Sequence, residues 1–229
     1  EARTLCRQAQ AAQKQLSEFS QSQLDKIVES VAKAFSAAAV ELAELAVRET
    51  GFGNREDKVT KNRFASDRVA AAIRNQTCVG LLREDPKARI WEVGVPVGVI
   101  CAIVPSTNPT STVCYKSLIA LKSGNAVVFS PHPKALSCTL RAAQIVAQAA
   151  EAEKILACDP DIVISAFEDA DKTDALQDQL GVPVITLSTG SKGVFDDKFY
   201  GSMELLGTVF QKTERAQELI DYIMEQAAA

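Results

Sequence analysis

The chain has 229 residues, 47% of them hydrophobic and 24% charged, enough to bury a core in one large domain or two small ones. A formal net charge of -4 supplies no positive field for nucleic acid or an acidic bilayer, so neither is expected as a partner. No apolar run is long enough to cross a membrane and the polar opening Glu1-Ala2-Arg3-Thr4 lacks a signal-peptide core, which points to a cytoplasmic protein.

Leu24, Ile27, Val28, Val31, Phe35, Ala38, Leu42 and Leu45 recur at steps of three and four, predicting one long amphipathic helix over residues 20 to 48. Thr50-Gly51-Phe52-Gly53 ends it, and a second helical stretch follows from about Arg55 to Cys78. Residues 1–89 therefore read as a helical hairpin region whose charged face is solvated. At Ile90 the period changes. Ile90 to Val104 is strand-forming, and Val97 to Val104 has the continuous apolar character of a strand buried on both faces. A helix from Thr110 to Leu121, a turn at Lys122-Ser123-Gly124-Asn125 and a strand from Ala126 to Phe129 complete a parallel βαβ unit.

The alternation continues with a helix from about Lys134 to Ala150, a strand at Asp161 to Ser165, a helix from Asp171 to Leu180 and a strand at Val182 to Leu187. The fold class expected is α/β: a Rossmann-like, doubly wound parallel sheet of about four strands within residues 90–229, behind the helical hairpin. Helices near Phe199 to Phe210 and Thr213 to Gln226 close the chain; their Leu205, Leu206, Val209, Phe210, Leu219, Ile220, Ile223 and Met224 can cover the sheet or pack on the N-terminal helices.

Six cysteines occur without a CxxC pair and with a single histidine, so no metal site is expected. Cys101 and Cys114 lie in or beside apolar runs and read as packing residues. Cys158 stands beside Asp159, whose charge raises rather than lowers a thiol pKa, and makes a poor nucleophile.

The segment Val97-Gly98-Val99-Ile100-Cys101-Ala102-Ile103-Val104-Pro105-Ser106-Thr107-Asn108-Pro109-Thr110-Ser111-Thr112 resembles the start of the cofactor-binding domain of CoA-acylating aldehyde dehydrogenases. The likeness extends through Lys116-Ser117-Leu118-Ile119-Ala120-Leu121-Lys122-Ser123-Gly124-Asn125-Ala126-Val127-Val128-Phe129-Ser130-Pro131-His132-Pro133-Lys134-Ala135 and, with the helical hairpin before it, covers residues 1–148. It implies NAD as cofactor and a dinucleotide contacted by Pro105, Ser106, Thr107, Asn108, Ser130, Pro131, His132 and Pro133, with Asn108 matching an asparagine that stabilises the thiohemiacetal oxyanion. Both segments follow buried parallel strands, where open α/β sheets hold ligands. There is no G-x-G-x-x-G or P-loop, so the nucleotide assignment rests on the resemblance. Read alone, Asn108 between Thr107 and Pro109 is a turn residue and His132 an exposed loop histidine.

From Glu153 onward, Asp159-Pro160-Asp161-Ile162-Val163-Ile164, Gly181-Val182-Pro183-Val184-Ile185 and Glu204-Leu205-Leu206-Gly207-Thr208-Val209-Phe210 resemble the middle of a metal-chelate binding protein of ABC importers. Two resemblances meeting near residues 146–154 imply a chimera, engineered or natural, that is non-catalytic with residual NAD binding. Two alternatives stand beside it: a fragment of an NAD-dependent acylating aldehyde dehydrogenase, and a chelate-binding module for siderophore, haem or corrinoid.

Overall fold

The structure, a computed structural model, describes residues 2–156, 160–165, 170–190 and 195–228. It is a mixed α/β architecture with small parallel sheets, divided into two compact units, residues 1–157 and 158–229. Among the described residues no helix is long and apolar enough to cross a membrane.

The first unit begins with α1 (Ala2–Leu16), α2 (Gln21–Ala37) and α3 (Ala39–Thr50). Ser20 starts α2 through a capping box, its side chain accepting from the Gln23 amide while the Gln23 side chain accepts from the Ser20 amide. The helix expected over 20 to 48 is thus two helices, broken at Ala38. Unbroken, those 29 residues would run straight for about 43 Å at ~1.5 Å per residue. The break lets α2 bury Leu24, Ile27, Val31 and Phe35 while α3 buries Leu42, Ala43 and Ala46 along a different line. Gly51 ends α3 in the left-handed region, φ 69°, where a side chain would be strained. The second helical stretch is α4 (Arg55–Arg63), a π turn at Phe64–Arg68 and the short α5 (Val69–Ile73).

An antiparallel hairpin comes next, β1 (Gly80–Asp85) with β2 (Ile90–Gly94), bulged between Leu81 and Arg83. Gly94 is required by close approach, since a Cβ there would lie 2.2 Å from the Cys78 carbonyl oxygen. Then come β3 (Val99–Val104), α6 (Pro109–Lys122), β4 (Ala126–Pro131) and, after a short 3-10 turn at Pro133–Ala135, α7 (Leu136–Leu156). β3 and β4 pair in parallel from Val99↔Ala126 to Val104↔Pro131, the βαβ unit expected. Asn125 sets the register by accepting the Gly98 amide on its side chain at 2.8 Å.

One core runs through this unit: Ile27, Val31 and Phe35 of α2 join Val104 of β3, Val113 and Leu118 of α6 and Ile145 and Ala149 of α7. The change of period at Ile90 is therefore a change of secondary structure inside one packed body. Lys122, 2% exposed, closes the α6 end with its ammonium 2.7 Å from Asp25 and 2.9 Å from the Arg74 carbonyl oxygen.

The second unit contains β5 (Val163–Ser165), α8 (Ala170–Leu180), β6 (Val184–Thr186), α9 (Asp197–Val209) and α10 (Thr213–Ala228). β5 and β6 pair in parallel, and the Thr173 and Thr186 hydroxyls meet at 2.8 Å. α9 and α10 cross closely: a Cβ on Gly207 would lie 2.6 Å from the Cβ of Ala216.

Three expectations are corrected. Among the described residues the parallel strands pair as β3–β4 and β5–β6, in two-stranded sheets, rather than as one sheet of about four strands. β3 is not covered on both faces, because Ala102 and Val104 are buried while Cys101 and Ile103 are exposed; Cys101 is thus no packing residue, whereas Cys114 is fully buried. Of the apolar residues expected to cover the sheet or the helices, Ile220 is buried but Leu205, Phe210, Leu219 and Met224 are exposed.

Candidate functional site

The parallel register places both sequence-predicted segments at one end of the β3–β4 pair. Val104 and Pro131 are partners at the carboxyl ends, and the His132 amide donates to the Val104 carbonyl oxygen at 3.0 Å. Residues 105–108 and 132–133 therefore leave adjacent strand ends side by side. Pro105, Thr107, Ser130, His132 and Pro133 are exposed, while Ser106, Asn108 and Pro131 are half-buried. His132 Nδ1 accepts the Lys134 amide at 3.1 Å, so the neutral ring carries its proton on Nε2, free to donate outward.

Asn108 is the N-cap residue of α6, with Pro109 at the first helical position and no side-chain capping bond. The positive end of the α6 dipole lies at this point, favouring an anion or a developing negative charge. Its Oδ1 accepts from Lys61 Nζ at 3.1 Å. Beside it, Lys58 Nζ donates to the Thr107 carbonyl oxygen at 2.9 Å, and the Thr110 hydroxyl donates to Asn62 Oδ1 at 2.8 Å. Asn62 in turn donates to the Ala39 carbonyl oxygen at 3.0 Å. Three residues of one α4 face thus grip the loop on both sides of Asn108. Burial pushes the Lys58 ammonium pKa down, and the neighbouring Lys61 charge adds to the effect.

An open groove of about 500 Å³ runs along Asn108, walled by Phe64, Ala65, Val69 and Tyr115 with Lys61 at its rim. The π turn supplies two of those walls, Phe64 and Ala65. A larger groove of about 870 Å³ lies between α2 and the α4–α5 segment, lined by charges of both signs such as Asp25, Glu29, Asp67, Arg63 and Arg74. None of the sequence-predicted site residues lines it.

Two of the thiols are poorly suited to nucleophilic work. Burial drives Cys114 far above the ordinary thiol range, and burial together with hydrogen bonding to Glu49 pushes Cys138 up to about 12. Neither lines the Asn108 groove. Cys158 lies outside the described residues.

Lys58, Lys61 and Asn62 were missed by sequence reasoning, which assigned the charged face of this helix to solvent. The usable signal was their i, i+3, i+4 spacing with Ala65 one further turn along, a stripe that is 5% exposed at Lys58 and 1% at Asn62.

Fold and site together define an α/β protein with two loops gathered at the carboxyl ends of paired parallel strands, the ligand end of such sheets. The chain belongs to the aldehyde dehydrogenase family, whose match spans residues 1–195. It is 46% identical over 150 residues to the bifunctional aldehyde-alcohol dehydrogenase AdhE of Escherichia coli K12, covering 66% of this chain and 17% of that protein. The acetylating aldehyde dehydrogenase structure from Geobacillus thermoglucosidasius is similar with a TM-score of 0.64 and 41% identity, over 81% of this chain and 45% of that one. An engineered glycolyl-CoA reductase with bound NADP+ is similar with a TM-score of 0.51 and 25% identity, over 80% of this chain and 45% of that one. The chain thus spans less than half the length of these relatives.

The family match continues unbroken across residues 146–154, where the two resemblances were expected to meet. A change of ancestor at that point has no support, nor has the assignment of residues 153–229 to a chelate-binding protein. The likeness expected over residues 1–148 extends to residue 195.

Proposed function

We propose that the chain is the part of a CoA-acylating, NAD(P)-dependent aldehyde dehydrogenase that receives the dinucleotide and polarises the aldehyde carbonyl. The observation that carries this is the adjacency of the Asn108 and His132 loops at one end of the β3–β4 pair. The relatives support it: one is a bifunctional aldehyde-alcohol dehydrogenase and one an acetylating aldehyde dehydrogenase in name, and the glycolyl-CoA reductase holds NADP+.

The residues suit a dinucleotide without a glycine-rich turn. Ser130 offers a hydroxyl and His132 an Nε2–H, both exposed at the end of β4 and suited to the hydroxyl and phosphate oxygens of the adenosine half. When bound, the nicotinamide supplies the hydride acceptor. Asn108 Nδ2 donates to the carbonyl oxygen as it gains negative charge, and the α6 N-terminus reinforces it. Phe64, Val69 and Tyr115 form an apolar wall for the acyl chain of the aldehyde. We place the thiol that attacks the carbonyl outside the described residues, since none of the described cysteines lines the Asn108 groove and the two buried ones stay protonated at neutral pH.

Calorimetric titration of the chain with NAD+ and NADP+ tests this. Binding should be seen for at least one, and His132→Ala should weaken it about fivefold, the loss of one hydrogen bond worth ~1 kcal/mol. Absence of any heat, or binding that neither His132→Ala nor Asn108→Ala changes, contradicts the assignment.

A further inference from the structure

An asparagine at a helix N-cap ordinarily turns its carboxamide oxygen onto a backbone N–H of the first helical turn. Asn108 does not. Its backbone, at φ -137° and ψ 56°, lies outside the extended region from which a cap side chain reaches the amides of that turn, and its Oδ1 is engaged instead by Lys61 from α4. A carboxamide has one accepting and one donating end, so fixing Oδ1 also fixes the direction of Nδ2. Among the described residues Nδ2 has no protein partner, and the groove walled by Phe64, Val69 and Tyr115 lies along Asn108.

We infer that Lys61 is a positioning residue: its ammonium holds Oδ1 and so leaves the Nδ2 hydrogens presented to the groove for a carbonyl oxygen. The inference rests on the reading of Asn108 as carbonyl donor given above. The backbone context makes one side-chain contact decisive. Lys58 holds the Thr107 carbonyl and Asn62 holds the Thr110 hydroxyl, so the main chain on either side of Asn108 is fixed and only the carboxamide is left to turn. Without Lys61 the carboxamide is free to turn about its own bonds, and Nδ2 is no longer held toward the groove.

The test is nuclear magnetic resonance on the whole isotope-labelled chain, with the Asn108 side-chain amide assigned from its loss in Asn108→Ala. In Lys61→Met the Asn108 NH2 signal should shift and its order should fall, read from a smaller heteronuclear Overhauser effect. In Lys61→Arg, which keeps a donor, both should return toward wild type. Lys61 is exposed, so Lys61→Met keeps the fold, and an unchanged Tm confirms that the response is local. If the shift and order of the Asn108 NH2 are the same in wild type and Lys61→Met, the inference is wrong. Titration with isobutyramide, an unreactive carbonyl analogue, separates this from the parent reading. A Lys61-dependent amide that ignores isobutyramide leaves the positioning contact standing and removes the carbonyl role.

Discussion

Asn62 offers the sharpest test of how the site is held. It is 1% exposed and joins three elements, donating to the Ala39 carbonyl oxygen at 3.0 Å and accepting from the Thr110 hydroxyl at 2.8 Å. Asn62→Ala strands the Thr110 hydroxyl where water does not reach, Thr110 being 2% exposed, and takes from the Ala39 carbonyl oxygen its bond from outside α3 while the helical one stays. The stranded hydroxyl costs about 1–3 kcal/mol and the lost bond with the space left behind about 1–2 kcal/mol, so the substitution should destabilise the first unit by roughly 2–5 kcal/mol. Pairing it with Thr110→Val, which removes the stranded hydroxyl, should recover about 1 kcal/mol of that loss. The assay is urea unfolding followed at resolved amide signals from residues 2–156, which reads this unit separately from the second. With a slope near 2 kcal/mol/M the midpoint should fall by about 1–2.5 M. A loss within ~0.5 kcal/mol, the range of ordinary surface changes, refutes the view that α4 clamps the start of α6.

The same geometry makes two further outcomes testable. Glu49 accepts the Ser137 and Cys138 amides at 2.8 and 2.7 Å, tying the end of α3 to the N-terminus of α7 just after the His132 loop. Partial burial opposes its ionisation, but the two amide donors prevail and hold its pKa below 4.5. Its contribution to stability is therefore complete above pH 4.5 and fades as pH falls through the lower folded value. Glu49→Gln should cost about 1–2 kcal/mol at neutral pH and remove this part of the acid dependence, as read from urea midpoints at both pH values. Brief iodoacetamide treatment of the native chain at neutral pH should modify the exposed Cys6 and Cys101 and spare Cys114 and Cys138. Rapid labelling of Cys138 in mass spectra would contradict its burial.

What the sequence disclosed is what local pattern can carry. The stripe Leu24, Ile27, Val28, Val31, Phe35 marks the buried face of α2, and the run from Val99 through Phe129 yields the parallel β3–α6–β4 unit, though not its register. The break at Ala38 was hidden because the apolar spacing continues through it without a glycine or proline. β1 was hidden because Gly80-Leu81-Leu82-Arg83-Glu84-Asp85 becomes a strand only by pairing with β2, a contact no local window contains. The positions of Asn108 and His132 at neighbouring strand ends were legible from the βαβ reading, whereas the grip of Lys58, Lys61 and Asn62 was not. Polar side chains are assigned to water by default, and only the tertiary fold shows that Lys58 and Asn62 are buried against a carbonyl and a hydroxyl. The second resemblance rested on short segments such as Asp161-Ile162-Val163-Ile164 and Val182-Pro183-Val184-Ile185, patterns that any parallel βα unit produces.

The central claim is that the carboxyl ends of β3 and β4 form the dinucleotide face. Chemical-shift mapping of the labelled chain against NAD+ or NADP+ addresses it most directly. Shifts should concentrate at Ser106, Thr107, Asn108, Ser130 and His132; shifts confined to the groove between α2 and α5, or no shifts with either dinucleotide, would contradict it.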